Sequence, residues 1–106
     1  MTVNDFAAKQ GFGVVAMPDG EREIKGVYIG DLLSWVMGRA KADDAWITIM
    51  SNINIVAVAS LADVACIILA EGVILDASVI ETANAKCVNI LSAEMPAYEA
   101  AMQIAI

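Results

Sequence analysis

The chain has 106 residues, enough for one compact domain at roughly 100–200 residues per domain. Hydrophobic residues make up 59% of it and the mean hydropathy is +0.68, which excludes disorder and predicts a heavily buried interior. Six basic against 13 acidic side chains leave a net charge of −7, which argues against nucleic acid as a partner, and the absence of histidine excludes His-dependent catalysis and His-based metal sites.

In chain order, Thr2 as cap, Phe6 and Ala7 on one face and Gly11 as stop predict a short opening helix. Val14 to Met17, a Pro18-Asp19-Gly20 turn and Ile24 to Ile29 predict a β-hairpin, because Pro presets φ and Gly accepts positive φ. Asp31 is placed to cap a helix carrying an apolar stripe of Leu32, Leu33, Trp35, Val36 and Met37. Asp43 and Asp44 close a polar connector.

Three strand-then-helix units follow. The strands are Trp46 to Met50, Val64 to Leu69 and Val88 to Leu91; the helices end near Leu61, run from about Asp76 to Ala85, and run from Pro96 to about Ile104. Continuous apolar strands alternating with helices imply a parallel sheet covered on both faces. The expected architecture is therefore an α/β three-layer sandwich, with a mainly parallel sheet and an added N-terminal hairpin, spanning residues 1–106 as a single domain. The uncharged stretch Ala45 to Ala62 carries Thr48, Ser51, Asn52, Asn54 and Ser60 and reads as buried strand plus helix rather than a membrane span. Cys66 and Cys87 sit in apolar stretches and read as small hydrophobes in a reducing, cytoplasmic setting, and the first residues do not read as a secretory signal.

The motif search removes several activities. Gly11-Phe12-Gly13-Val14-Val15-Ala16 fits a dinucleotide fingerprint as a string, but it follows a helix and opens a strand, the reverse of what the fingerprint needs. No Walker motif and no metal-binding spacing occurs, so neither cofactor nor metal is expected. In parallel α/β sheets, ligands sit beyond the carboxyl ends of the strands, where helix N-termini offer free N–H groups. That rule gives a candidate ligand set of Asp31, Thr48, Ser51, Asn52, Asn54, Glu71, Ser92 and Glu94. The competing reading is that Ser51, Asn52, Asn54 and Ser92 are helix caps. An enzymatic reading would need Asp31, Glu71 or Glu94 as acid or base. Trp35, Trp46, Tyr28 and Tyr98 read as core or interface residues. Residues 51–106 carry six acids against one base, which marks either a solvated face or a surface for a cationic partner.

The run Glu21 to Ser34, with Ala45-Trp46-Ile47-Thr48-Ile49, Asn54 to Leu61 and the closing Asn89 to Glu99, resembles a DRTGG domain over nearly the whole chain. Arg22 matches the Arg of the naming motif and Gly26 a Gly, with Lys25 in place of the usual Thr. The resemblance implies a regulatory α/β module like the N-terminal domain of HPr kinase/phosphorylase and the middle domain of long phosphotransacetylases, in which catalysis lies elsewhere. It also implies kinship with modules that accompany CBS pairs in nucleotide-regulated pyrophosphatases and help them dimerise, and with stand-alone proteins encoded near iron-only hydrogenases. The leading expectation is a non-catalytic module that self-associates as a homodimer, with the Met102 to Ile106 tail at the seam and a protein partner in a regulatory system. The alternative is a sensor of a nucleotide or other anionic metabolite bound at the strand ends.

Overall fold

The computed structural model describes residues 1–104. Five strands, β1 (Phe12–Ala16), β2 (Gly26–Ile29), β3 (Asp44–Thr48), β4 (Cys66–Leu69) and β5 (Ile90–Ala93), form one sheet in the order β1-β5-β4-β3-β2. β2, β3, β4 and β5 run parallel, and β1 pairs antiparallel with β5. Helices α2 (Leu33–Arg39), α3 (Asn54–Ala62) and α4 (Ala77–Ala85) cover one face; α1 (Val3–Ala7) and α5 (Ala97–Met102) cover the other.

The period of two along each central strand sorts its side chains between two cores. Trp46, Ile67, Leu69 and Ile90 pack with Val36, Ile55, Val56 and Val79 on the α2-α3-α4 side. Ala45, Ile47, Cys66, Ile68 and Leu91 pack with Val3, Phe6 and Ala100 on the α1-α5 side. Strands buried on both faces explain the unbroken apolar runs, and the expected three-layer, mainly parallel α/β sandwich is the fold observed.

The expected hairpin does not form: the two N-terminal runs lie at opposite edges of the sheet. The Pro18-Asp19-Gly20 turn delivers residues 20–24 to the first residues of the chain instead. Asn4 N–H donates to Gly20 O at 2.9 Å, Val3 N–H to Arg22 O at 2.9 Å and Ile24 N–H to Met1 O at 2.9 Å. Lys25 N–H then bonds Asp43 O at 2.9 Å and leads the chain into β2. Four inter-strand gaps of about 4.8 Å separate the edges, which the residues between β1 and β2 span easily at about 3.3 Å each. Buried Ile24 anchors this crossing against the α1-α5 core.

Other boundaries moved for local reasons. Asp31 does not cap α2, whose cap position is Leu32 without a side-chain bond. The Asp31 carboxylate is used across the sheet instead. Ser92 lies inside β5 opposite Gly13, and α5 is preceded by Pro96 at its cap. Of the tail expected at a dimer seam, Ile104 is buried in this chain's own core, Met102 is exposed, and residues 105–106 lie outside the described residues.

Thr2 caps the opening helix as its sequence predicts, and the structure adds a reciprocal capping box with Asp5. Thr2 Oγ1 accepts the Asp5 N–H at 3.1 Å, and the Asp5 carboxylate accepts the Thr2 N–H at 3.0 Å. Thr2→Ala is expected to cost about 1 kcal/mol, read as a melting point lower by roughly 4–8 °C. The hydrogen bond from the Thr2 backbone, then that from its side chain, holds the Asp5 carboxyl below its usual value. The ionised form is favoured in the folded chain, so the stabilisation is complete above the unfolded carboxyl's 3.8. It fades as pH falls through the lower folded value.

Candidate functional site

The residues expected to bind a ligand all lie at or near the carboxyl end of the sheet, but they fall into four separate groups. Where β2 and β3 end, Asp31 Oδ1 accepts from Thr48 Oγ1 at 2.7 Å and from the Ile49 N–H at 2.9 Å. Thr48, 2% exposed, also accepts the Met50 N–H at 3.2 Å, so its hydroxyl is committed to closing the loop. Next along, Asn52 Oδ1 accepts the Asn54 N–H at 2.9 Å in a local turn, and Ser51, Asn52 and Asn54 are exposed. This is the local, cap-like use that these residue types favour.

Beyond β4, Glu71 sits in the left-handed region at φ +62, and its N–H donates to Met95 O while that of Gly72 donates to Ala93 O. At the β5 end, Ser92 and Glu94 face a depression of about 300 Å³ with Gly11, Phe12 and Gly13. Asp31, Glu71 and Glu94 therefore stand in three different loops. Gly11, at φ +93, links α1 to β1, as the reversed order of its motif requires.

Two features escaped the sequence reading. The first is an exposed apolar surface around the β2–β3 end: Ile29, Leu32, Trp35, Ile49 and Ile53 all face outward. Leu32 is 58% and Trp35 52% exposed, and the Arg39 guanidinium stacks over the Trp35 ring at 3.7 Å. Helical spacing put Leu32 and Trp35 on the same stripe as Val36, but only Val36 is buried among the three. Trp46, by contrast, is fully buried with its Nε1–H on Gly30 O at 2.9 Å. Tyr28 packs at the core margin and Tyr98 is exposed.

The second is an ionic brace at the opposite, amino-terminal end of the strands. The chain approaches β3, β4 and β5 through residues at positive φ, namely Asp43, Asp63 and Cys87. Arg22 holds the first two. Its Nε donates to Asp43 Oδ1 at 3.0 Å, and its Nη2 reaches Asp63 Oδ1 at 2.9 Å and the Asp63 carbonyl. Lys25 Nζ approaches Asp43 Oδ2 at 3.8 Å. A Cβ on Gly26 would collide with the Asp44 carboxylate, which accepts the Lys41 N–H at 2.8 Å. Burial opposes the Arg22 charge, but hydrogen bonds to Asp63 and Asp43 outweigh it and hold its pKa above the usual value.

The cysteines divide. Cys66 is buried in β4, where desolvation pushes its thiol up to about 12, while Cys87 is exposed, contrary to its apolar sequence neighbourhood. A disulfide-exchange reagent at pH 8 is expected to modify one thiol per native chain, at Cys87, and two after denaturation.

Residues 11–105 match the model of the DRTGG domain. The chain belongs to the DRTGG domain family. Arg22, Lys25 and Gly26, which the sequence resemblance likened to the naming motif, lie together at the amino-terminal brace, where Lys25 adds a second cation near Asp43. DRTGG domains are regulatory modules. A similar solved structure is that of the CBS and DRTGG domains of the regulatory region of Clostridium perfringens pyrophosphatase, complexed with its activator diadenosine tetraphosphate. The TM-score is 0.69 at 12% identity, over 95% of this chain and 47% of that one. The likeness shows a shared fold, and this chain spans about half the length of that structure. No curated protein matches the sequence significantly. Among the described residues no group of side chains is arranged to hold a metal ion, and no helix is long and apolar enough to cross a membrane.

Proposed function

We propose that this DRTGG domain is a non-catalytic, cytoplasmic regulatory module that works by self-association, the seam being the apolar surface at the β2–β3 end. The observation that carries this reading is the exposure of Leu32 and Trp35 at the start of α2, and of Ile29, Ile49 and Ile53 at the exits of β2 and β3, in a chain of 106 residues. Clustered exposed apolar side chains mark association surfaces, and Trp and Arg are the residue types that dominate binding energy at such surfaces. Arg39 stacked on Trp35 supplies both. The carboxylate of Asp31, next to Leu32 in the chain, is occupied by Thr48 and Ile49.

Sedimentation velocity of the wild type and of Leu32→Asp and Trp35→Asp tests the proposal. The wild type is expected to sediment as a dimer at micromolar concentration and both variants as folded monomers. A wild-type monomer, or variants that remain dimeric, would reject it.

A second reading takes the exposed Ser51, Asn52 and Asn54 as donors for a nucleotide-like anion, with Ser92 standing apart at the end of β5. Its support is the activator complex of the pyrophosphatase that shares this fold. Titration with diadenosine tetraphosphate should then show binding that Asn52→Ala and Asn54→Ala weaken; affinity unchanged by both substitutions would dismiss the site.

A further inference from the structure

Helices α3 and α4 leave between them a groove of about 360 Å³ that shares only Ile53 and Asn54 with the surfaces of the two readings above. Val56 forms part of its floor, Ile53, Ala57 and Leu61 its α3 wall, and Thr82 and Lys86 the opposite side. Leu61 is 71% exposed, so a strong hydrophobe stands uncovered along its rim. The volume lies at the lower end of the range of small-molecule sites, about 300–1,000 Å³, and the mix of apolar wall with a few polar groups is typical of them.

Charge narrows the occupant. None of the 13 acidic residues lines the groove, although the chain carries a net −7. Its one charged lining residue is Lys86, which is also the sole basic residue of positions 51–106. The Lys86 ammonium pairs with no carboxylate among the described residues. Ser60, beside it in the lining, has a hydroxyl free to donate, whereas the Thr82 hydroxyl already donates to Ser78 O at 2.9 Å.

A second, polar cleft of about 220 Å³ shares Ser60 and Lys86 with the groove and continues to Asp19, Asp63 and Arg22. Its two carboxylates repel an anion that moves past Lys86, so the negative group must stop at the junction and the apolar body must lie back along α3 toward Ile53. We infer that the α3–α4 groove is a binding site for a small apolar molecule bearing one anionic group, held by Lys86 and Ser60 at the junction and by Ala57 and Leu61 along its length. The site touches Asp63 through the shared cleft, which places an occupant next to the Arg22 brace.

Anilinonaphthalene sulfonate, an apolar fluorescent anion, is a suitable probe for the full chain, with uncharged phenylnaphthylamine as its control. The expected result is saturable binding of one probe per chain, with amide shifts confined to residues 53–61 and 82–87. Lys86→Glu should weaken it at least about fivefold, the scale of one exposed ion pair. Lys9→Glu should leave it unchanged, phenylnaphthylamine should bind at least as weakly as the probe binds Lys86→Glu, and Ala57→Trp should block binding by filling the groove. Shifts centred on Leu32 and Trp35, equal affinity for the uncharged control, or indifference to Lys86→Glu would overturn the inference. So would dissociation of a dimer by Ala57→Trp, since the groove would then be covered by a second copy. The proposed seam is tested by Leu32→Asp, at residues that do not line the groove, so failure of one assignment is distinguishable from failure of the other.

Discussion

Asn89→Ala is expected to destabilise the domain by about 3 kcal/mol, lowering its melting temperature by roughly 12–24 °C. Asn89 is 2% exposed, and its amide ties together segments far apart in sequence. Its Oδ1 accepts the Asp19 N–H at 2.9 Å, while its Nδ2 donates to Asp19 O at 2.7 Å and to Ala65 O at 2.9 Å. Alanine would strand the Ala65 carbonyl in an apolar setting and release the crossing between β1 and β2 from the base of the sheet. The Asp19 groups, being near solvent, recover part of their loss through water, which keeps the expected cost near one buried unsatisfied group plus the lost bonds. Asn89→Asp should be no milder, because a carboxylate donates neither of the two Nδ2 bonds and would face carbonyl oxygens. Thermal unfolding followed by circular dichroism reads both variants; an alanine variant within about 0.5 kcal/mol of wild type would show that the crossing is held by something else.

The second large effect is expected at Arg22. Arg22→Ala should cost about 2 kcal/mol, more than the 0–1 kcal/mol typical of a surface ion pair. The margin comes from shielding: the Arg22 side chain is 23% exposed and that of Asp43 29%. The share from Asp63, 67% exposed, is small. Arg22→Lys should recover only part of the loss, since an ammonium cannot place Nε and Nη donors on Asp43 and Asp63 together. Urea midpoints measured at low and at high salt would separate the two shares. The Asp63 part should be screened away and the Asp43 part retained. An Arg22→Ala variant as stable as wild type would show that the brace does not hold the entries to β3 and β4.

These two residues also show where the sequence was legible and where it was not. The apolar runs around Ile47, Ile67 to Leu69 and Ile90-Leu91 announced a parallel sheet buried on both faces, because burial on two faces needs no polar alternation. The Thr2 cap was equally plain, since a cap and the N–H it accepts lie three residues apart. Strand order was not plain. The Pro18-Asp19-Gly20 turn is real, but what pairs with residue 20 onward is decided by Asn89 and Met1 to Asn4, contacts that no local pattern encodes. Asp31 illustrates the same limit: it has the residue type and position of a cap, and a hydroxyl and an N–H on the neighbouring strand's exit claim its carboxylate instead.

For the candidate site, the rule that ligands lie beyond strand carboxyl ends located an end of the molecule but could not group its residues, since loop conformation sets which of them meet. The exposed apolar surface was hidden because Leu32 and Trp35 share their helical stripe with buried Val36. A stripe wider than the sheet can cover leaves part of itself exposed, and that excess is visible only once the helix is docked. The brace was visible only as a family-like string, because its meaning depends on Arg22 lying across the entries to two strands.

The central claim is that this DRTGG domain acts through contact with a second copy of itself. Native mass spectrometry of gently purified full-length chain tests it most directly, since one spectrum reports both stoichiometry and any retained small molecule. The account predicts a species at twice the 11.2 kDa chain mass, with no further mass needed to hold it together. A spectrum of single chains at micromolar concentration would contradict it, and a single chain carrying a reproducible added mass lost on denaturation would establish the sensor reading in its place.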